Sequence, residues 1–60
     1  MKNGTRLYDE RNGRYLTTTG TGTDPHCWEC IVEELNENGD YEVTGTQLFM
    51  ENELKHFEEV

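Results

Sequence analysis

The residues best suited to chemistry lie together in His26-Cys27-Trp28-Glu29-Cys30, a CxxC pair with an imidazole beside it. A structural zinc site needs four ligands, usually from two such knuckles or from one knuckle and a closely spaced histidine pair. This chain has one knuckle, and its other histidine, His56, stands far along the sequence. On a strand, side chains at CxxC spacing point to opposite faces, so Cys27 and Cys30 neither share a metal nor close a disulfide there. The expectation is a buried Cys30, a second thiol at the surface, and no metal or redox centre.

Two further motifs weaken on the same kind of reading. Gly20-Thr21-Gly22-Thr23 suggests a phosphate loop, but no lysine follows it and no helix start lies behind it. A flexible strand end accounts for it better. Acid pairs abound, at Glu33-Glu34, Glu51 with Glu53, and Glu58-Glu59. General acid–base work needs a sheltered pocket that shifts a pKa, whereas adjacent acids in a short chain form a solvated face. Serine is absent and neither histidine has a partner at suggestive spacing, so no catalytic residues, no cofactor and no enzymatic activity are expected.

The elements that carry these residues read mainly as strands. Alanine and serine are missing and threonine occurs eight times, a bias towards β structure. Thr5–Tyr8 forms a first strand, and Asn12-Gly13 supplies a hairpin turn into a second over residues 14–19. Asp24-Pro25 turns the chain into the clearest strand, Cys27–Leu35, with Trp28, Cys30 and Val32 inward and Glu29, Ile31 and Glu33 outward. Asn38-Gly39 makes a second hairpin, and Tyr41–Leu48 alternates as a fourth strand with Tyr41 and Val43 inward and a bend or bulge at Gly45. One helical turn, 3₁₀ in character, is expected over residues 51–54. A short fifth strand over Lys55–Val60 then turns Phe57 inward.

This order of elements resembles the SH3-like small barrel shared by SH3, Tudor and KOW-type modules. The features that carry the resemblance are Gly4-Thr5-Arg6-Leu7 in the first strand, the Asn38-Gly39 turn, and Phe49 followed by Glu53-Leu54 where such barrels place a 3₁₀ turn. It implies a mostly β, five-stranded SH3-like barrel forming one domain over residues 1–60. The ALYDY pattern of eukaryotic SH3 domains is not present in its usual form. In Tudor- and SH3-type barrels aromatic side chains near loop ends form peptide or methyl-cation sites, which draws attention to Tyr8, Tyr15, Trp28 and Tyr41. Tyrosine tolerates partial exposure, so Tyr8 and Tyr15 are the contact residues and Trp28 belongs to the core.

Charge supplies the rest. The chain has 60 residues, with thirteen acids against five Lys and Arg, a net charge of −8. Near this length folding buries only about 60% of the unfolded chain's surface, so the core is small and no deep second-domain pocket is available. Residues 1–14 hold Lys2, Arg6, Arg11 and Arg14 against Asp9 and Glu10, a net of +2, whereas residues 15–60 hold Lys55 alone against eleven acids, a net of −10. Phosphate-backbone affinity is built from Lys and Arg, so the balance weighs against nucleic acid and favours a basic protein partner. Glu29, Glu33, Glu42, Glu51 and Glu58 are the expected acidic contacts. Other readings are a nucleic-acid-mimicking inhibitor of the sort phages and mobile elements encode, and a small barrel that binds nucleic acid through its basic first hairpin. The longest apolar runs, Ile31-Val32 and Leu48-Phe49-Met50, are far short of a membrane span, and the first residues lack an apolar signal core. A cytoplasmic protein with no membrane partner is therefore expected.

Overall fold

A computed structural model describes residues 1–22 and 24–60, so Thr23, the last residue of the Gly-Thr stretch, lies outside the described residues. Five strands, β1 (Arg6–Asp9), β2 (Arg14–Thr21), β3 (Cys27–Leu35), β4 (Tyr41–Met50) and β5 (Glu58–Glu59), surround one helical turn, α1 (Glu51–Leu54). All neighbouring strands are antiparallel, in the order β4-β3-β2-β1-β5. The sheet is not closed, and β4 and β5 are its two edges.

Both hairpin turns follow from local chemistry. Gly13 adopts φ +63° and Gly39 φ +85°, conformations that cost glycine little. In the second turn the Asn36 side-chain oxygen accepts from the backbone N–H groups of Asn38 at 2.9 Å and Asp40 at 3.0 Å, which locks the loop. The exit from α1 is 3₁₀-like, with His56 and Phe57 donating to the carbonyls of Glu53 and Leu54. At its start the Glu53 carboxylate accepts from the Met50 N–H at 3.2 Å.

One face of the sheet is buried. Leu7, Leu16, Trp28, Cys30, Val32 and Phe49 line it, Leu54 closes it from α1, and Phe57 packs against the cluster as expected. The Phe49 and Phe57 rings meet edge to face at 6.2 Å, drawing the segment before β5 towards β4 although those strands share no ladder. Two polar side chains are buried with them. Thr18 accepts from the Thr5 N–H at 3.0 Å and donates to the Lys2 carbonyl at 2.6 Å, which ties the N-terminal segment to β2.

β4 departs from the expected alternation. Its partners run from Met50 opposite Cys27 to Gly45 opposite Val32, and then resume with Val43 opposite Glu33, leaving Thr44 as an extra residue. A one-residue bulge transfers every later side chain to the other face. Tyr41 and Val43 were expected inward and instead point outward, 39% and 63% exposed. The bulge itself falls at the anticipated glycine. β4 also runs on to Met50, and the fifth strand shrinks to two residues.

Asp9 is the buried charge. Its carboxylate accepts from Asn12 Nδ2 at 2.8 Å and Arg14 Nε at 2.9 Å, so the first hairpin closes on an ion pair between cross-strand neighbours. Burial pushes the Asp9 carboxyl up, but the bonds from Asn12 and Arg14 outweigh it and hold the group below the ordinary carboxylate value. A depressed folded-state pKa gives stability that is complete above about pH 4 and is lost as pH falls through the folded value. Asp9→Asn should therefore cost ~2 kcal/mol at neutral pH. The gap to the native protein, followed by urea unfolding with Trp28 fluorescence, should narrow below about pH 4, and a constant gap would contradict this role.

Candidate functional site

The exposed side of the sheet is organised in rows, because residues opposite one another on neighbouring strands share a face. One row crosses all five strands: Glu58, Tyr8, Tyr15, Glu33 and Val43. Tyr8 and Tyr15 pack at 4.9 Å between ring centroids, and Tyr41 leans across β3 to meet Tyr15 edge-on at 4.8 Å. The three tyrosines form one cluster, bordered by the carboxylates of Glu33 and Glu58 in the same row.

Arg6 shows what this face holds. Its guanidinium carbon lies 4.4 Å from the Tyr15 ring centroid while Nη1 donates to Glu33 Oε1 at 2.8 Å. A guanidinium between an aromatic face and a carboxylate gains from both the ring quadrupole and the charge-assisted hydrogen bond. Tyr8 lies beside this pair with no cation over it among the described residues. Its hydroxyl is pushed above the ordinary tyrosine value by desolvation first, then by Tyr41, Tyr15 and Glu10, an environment that disfavours a further negative charge.

The five glutamates expected as one acidic surface do not share a face. Glu33 and Glu58 lie in the tyrosine row, and Glu29 is on the same side further along β3, where Thr19 Oγ1 donates to its carboxylate at 3.2 Å. Glu42 is opposite Glu34, on the other side of the sheet beyond the core. Glu51, in α1, lies 3.8 Å from the N-terminal ammonium at the end of β4 away from Tyr41. Alternation along β3 and β4 decides this separation, because Glu29 and Glu33 are odd-numbered residues of an unbulged stretch while Glu42 follows the shifted register.

Arg6 and Tyr41 were not singled out as contacts, and neither was an apolar strip made by Leu35, Val43, Leu48 and Met50 on the same outer side. A signal for the strip is present in the sequence. Large apolar residues of this segment occupy odd positions before Gly45 and include even positions after it, the mark of an inserted residue.

An open cleft of about 850 Å³ lies on the core side between the first hairpin turn and the α1–β5 segment. Arg14 crosses it, bonded to Asp9, within 3.4 Å of Gln47 Oε1 and 5.5 Å from the Phe49 ring centroid. Its cation is thus already engaged in holding the fold. Among the described residues no three His, Cys, Asp or Glu side chains group as a metal site, and no helix is long and apolar enough to cross a membrane. No family model, no curated protein and no solved structure matches the chain.

The two thiols lie on opposite faces, with Cys30 buried and Cys27 half-buried on the outer side. Burial first, and then Cys27 and Glu29, push the Cys30 thiol up to about 11. A thiol reagent at about pH 8 should accordingly modify Cys27 in the folded protein and Cys30 only on unfolding. Equal rates at both, read by mass spectrometry of the labelled peptides, would contradict the assigned burial.

Proposed function

We propose that this chain is a small, non-enzymatic protein-interaction module whose outer sheet face takes a basic segment of a partner protein, on a scaffold that is a curled variant of the SH3-like barrel. The scaffold reading is supported by the element order, by β1 pairing with both β2 and β5, and by the Phe49–Phe57 contact between the two ends of the sheet. The functional reading rests on one observation above the others, the seat that Tyr15 and Glu33 form around Arg6. Tyr8, between Tyr15 and Glu58, offers an incoming arginine or lysine the same pairing of ring and carboxylate.

Two other readings have less support. A nucleic-acid mimic needs carboxylates in continuous phosphate-like rows, whereas Glu42 and Glu51 lie away from the side that carries Glu29, Glu33 and Glu58. Direct nucleic-acid binding through the first hairpin needs free cations, and two of the four in that segment, Arg6 and Arg14, are paired with carboxylates.

An arginine-rich probe peptide, followed by fluorescence anisotropy, should bind at low salt and weaken as salt is added. Tyr8→Ala leaves the net charge unchanged and should lower the affinity about three- to tenfold. Glu37→Gln, in the distant second turn, should change it little. A loss in Glu37→Gln with none in Tyr8→Ala would reduce the interaction to net charge, and no binding at low salt would remove the proposal.

A further inference from the structure

The two edges of the sheet are built differently. β5 is two residues long, both glutamate, and so is protected from further strand pairing by its brevity and charge. β4 is ten residues long with no Lys and no Pro, and Glu42 is its one charged residue in a chain that is 30% charged. Its outer side presents Tyr41, Val43, Leu48 and Met50, all exposed. An edge of this length, guarded by one bulge and one charge on its core-facing side, remains a template for a strand that matches both.

We propose that β4 is a self-pairing edge, joining a second copy of this chain through an antiparallel β4–β4 ladder about a two-fold axis at Thr46. The bulge makes the strand self-complementary. With Thr44 set aside as the extra residue, the outer-face residues of β4 run Tyr41, Val43, Thr46, Leu48, Met50. That order has the same pattern in both directions, two large apolar residues on either side of a threonine. Laid against a second copy, Thr46 faces its own equivalent, Val43 faces the partner's Leu48, and Tyr41 faces the partner's Met50. Thr44 and Gly45 together oppose the partner's Gln47, so every opposed pair points to a common face. On the other side of the sheet Glu42 meets the partner's Phe49, the ring 5.5 Å from the Arg14 guanidinium carbon. The sole charge of the edge thereby lies against the ring beside the Arg14 guanidinium, twice by symmetry. Without the bulge, Tyr41 and Val43 would point to the other side and the match would be lost.

This pairing opposes the molecule's charge. Two copies at −8 repel, so added salt should tighten the dimer, the reverse of its effect on binding a basic peptide. Sedimentation equilibrium of the full chain should show a monomer–dimer equilibrium shifting towards dimer from low to moderate salt. Val43→Lys and Leu48→Glu alter exposed side chains that the proposed ladder opposes, and each should weaken the homodimer about tenfold or more. An equimolar mixture of the two variants should recover a heterodimer, because one copy's new lysine faces the other's new glutamate while the second Val–Leu pair stays intact. Amide exchange along β4, but not β5, should slow with rising concentration of the native protein, a readout that does not depend on either variant. A protein that stays monomeric at its solubility limit in moderate salt would overturn the proposal. So would a dimer that neither variant weakens, or a mixture that fails to associate.

Discussion

Thr44 has no ladder partner on β3, although its hydroxyl donates to the Glu34 carboxylate at 2.6 Å, and that extra residue determines which way the first part of β4 faces. Strand side chains alternate strictly, so one inserted residue exchanges inside for outside beyond it. With the bulge, Tyr41 reaches Tyr15, Val43 completes the row that starts at Glu58, and the core-facing side of the strand is left with Phe49 as its buried residue. The places of Tyr41 in the tyrosine cluster and of Val43 in the apolar strip, and the symmetric order of outer residues along β4, follow from this local insertion.

The core is correspondingly one-sided, and it depends on polar anchors as well as apolar packing. A chain of 60 residues gains little from burial alone. Thr18 ties the N-terminal segment to β2 through its hydroxyl, and Asp9 closes the first hairpin against Asn12 and Arg14. Breaking one of these leaves a buried polar group without its partner, which costs more than the net value of the bond. Of the four cations in the basic first segment, Arg14 pairs with Asp9, already counted in the net of +2, and Arg6 pairs with Glu33 on β3, so this cross-strand pairing offsets one of its two surplus charges. The acidic remainder divides between the two sides of the sheet, and the part beside the tyrosines has the chemistry to recognise a cation.

Much of this was legible in the residues. The Asn12-Gly13 and Asn38-Gly39 turns, the long third strand with Trp28, Cys30 and Val32 inward, and the helical turn at 51–54 follow from turn chemistry and period-two alternation, because those signals are local. Gly45 marked the bulge. Plain alternation along β4 turns Tyr41 and Val43 inward, and the inserted Thr44 reverses that. Tyr8 and Tyr15, expected as partly exposed contact residues, are half-buried on the outer face, while the seat of Arg6 has no local sequence signal because it is assembled from β1, β2 and β3. Whether the sheet closes depends on how its edges meet in space, which no local pattern encodes.

The register of β4 against β3 is the claim on which the rest depends, and NOESY spectra of the labelled protein test it directly. The account predicts ring-to-ring cross-peaks between Tyr41 and Tyr15, and backbone contacts that pair Val43 with Glu33 and Gly45 with Val32. Cross-peaks placing the Tyr41 ring against Leu7, Leu16 or Val32 would put it in the core and contradict the account.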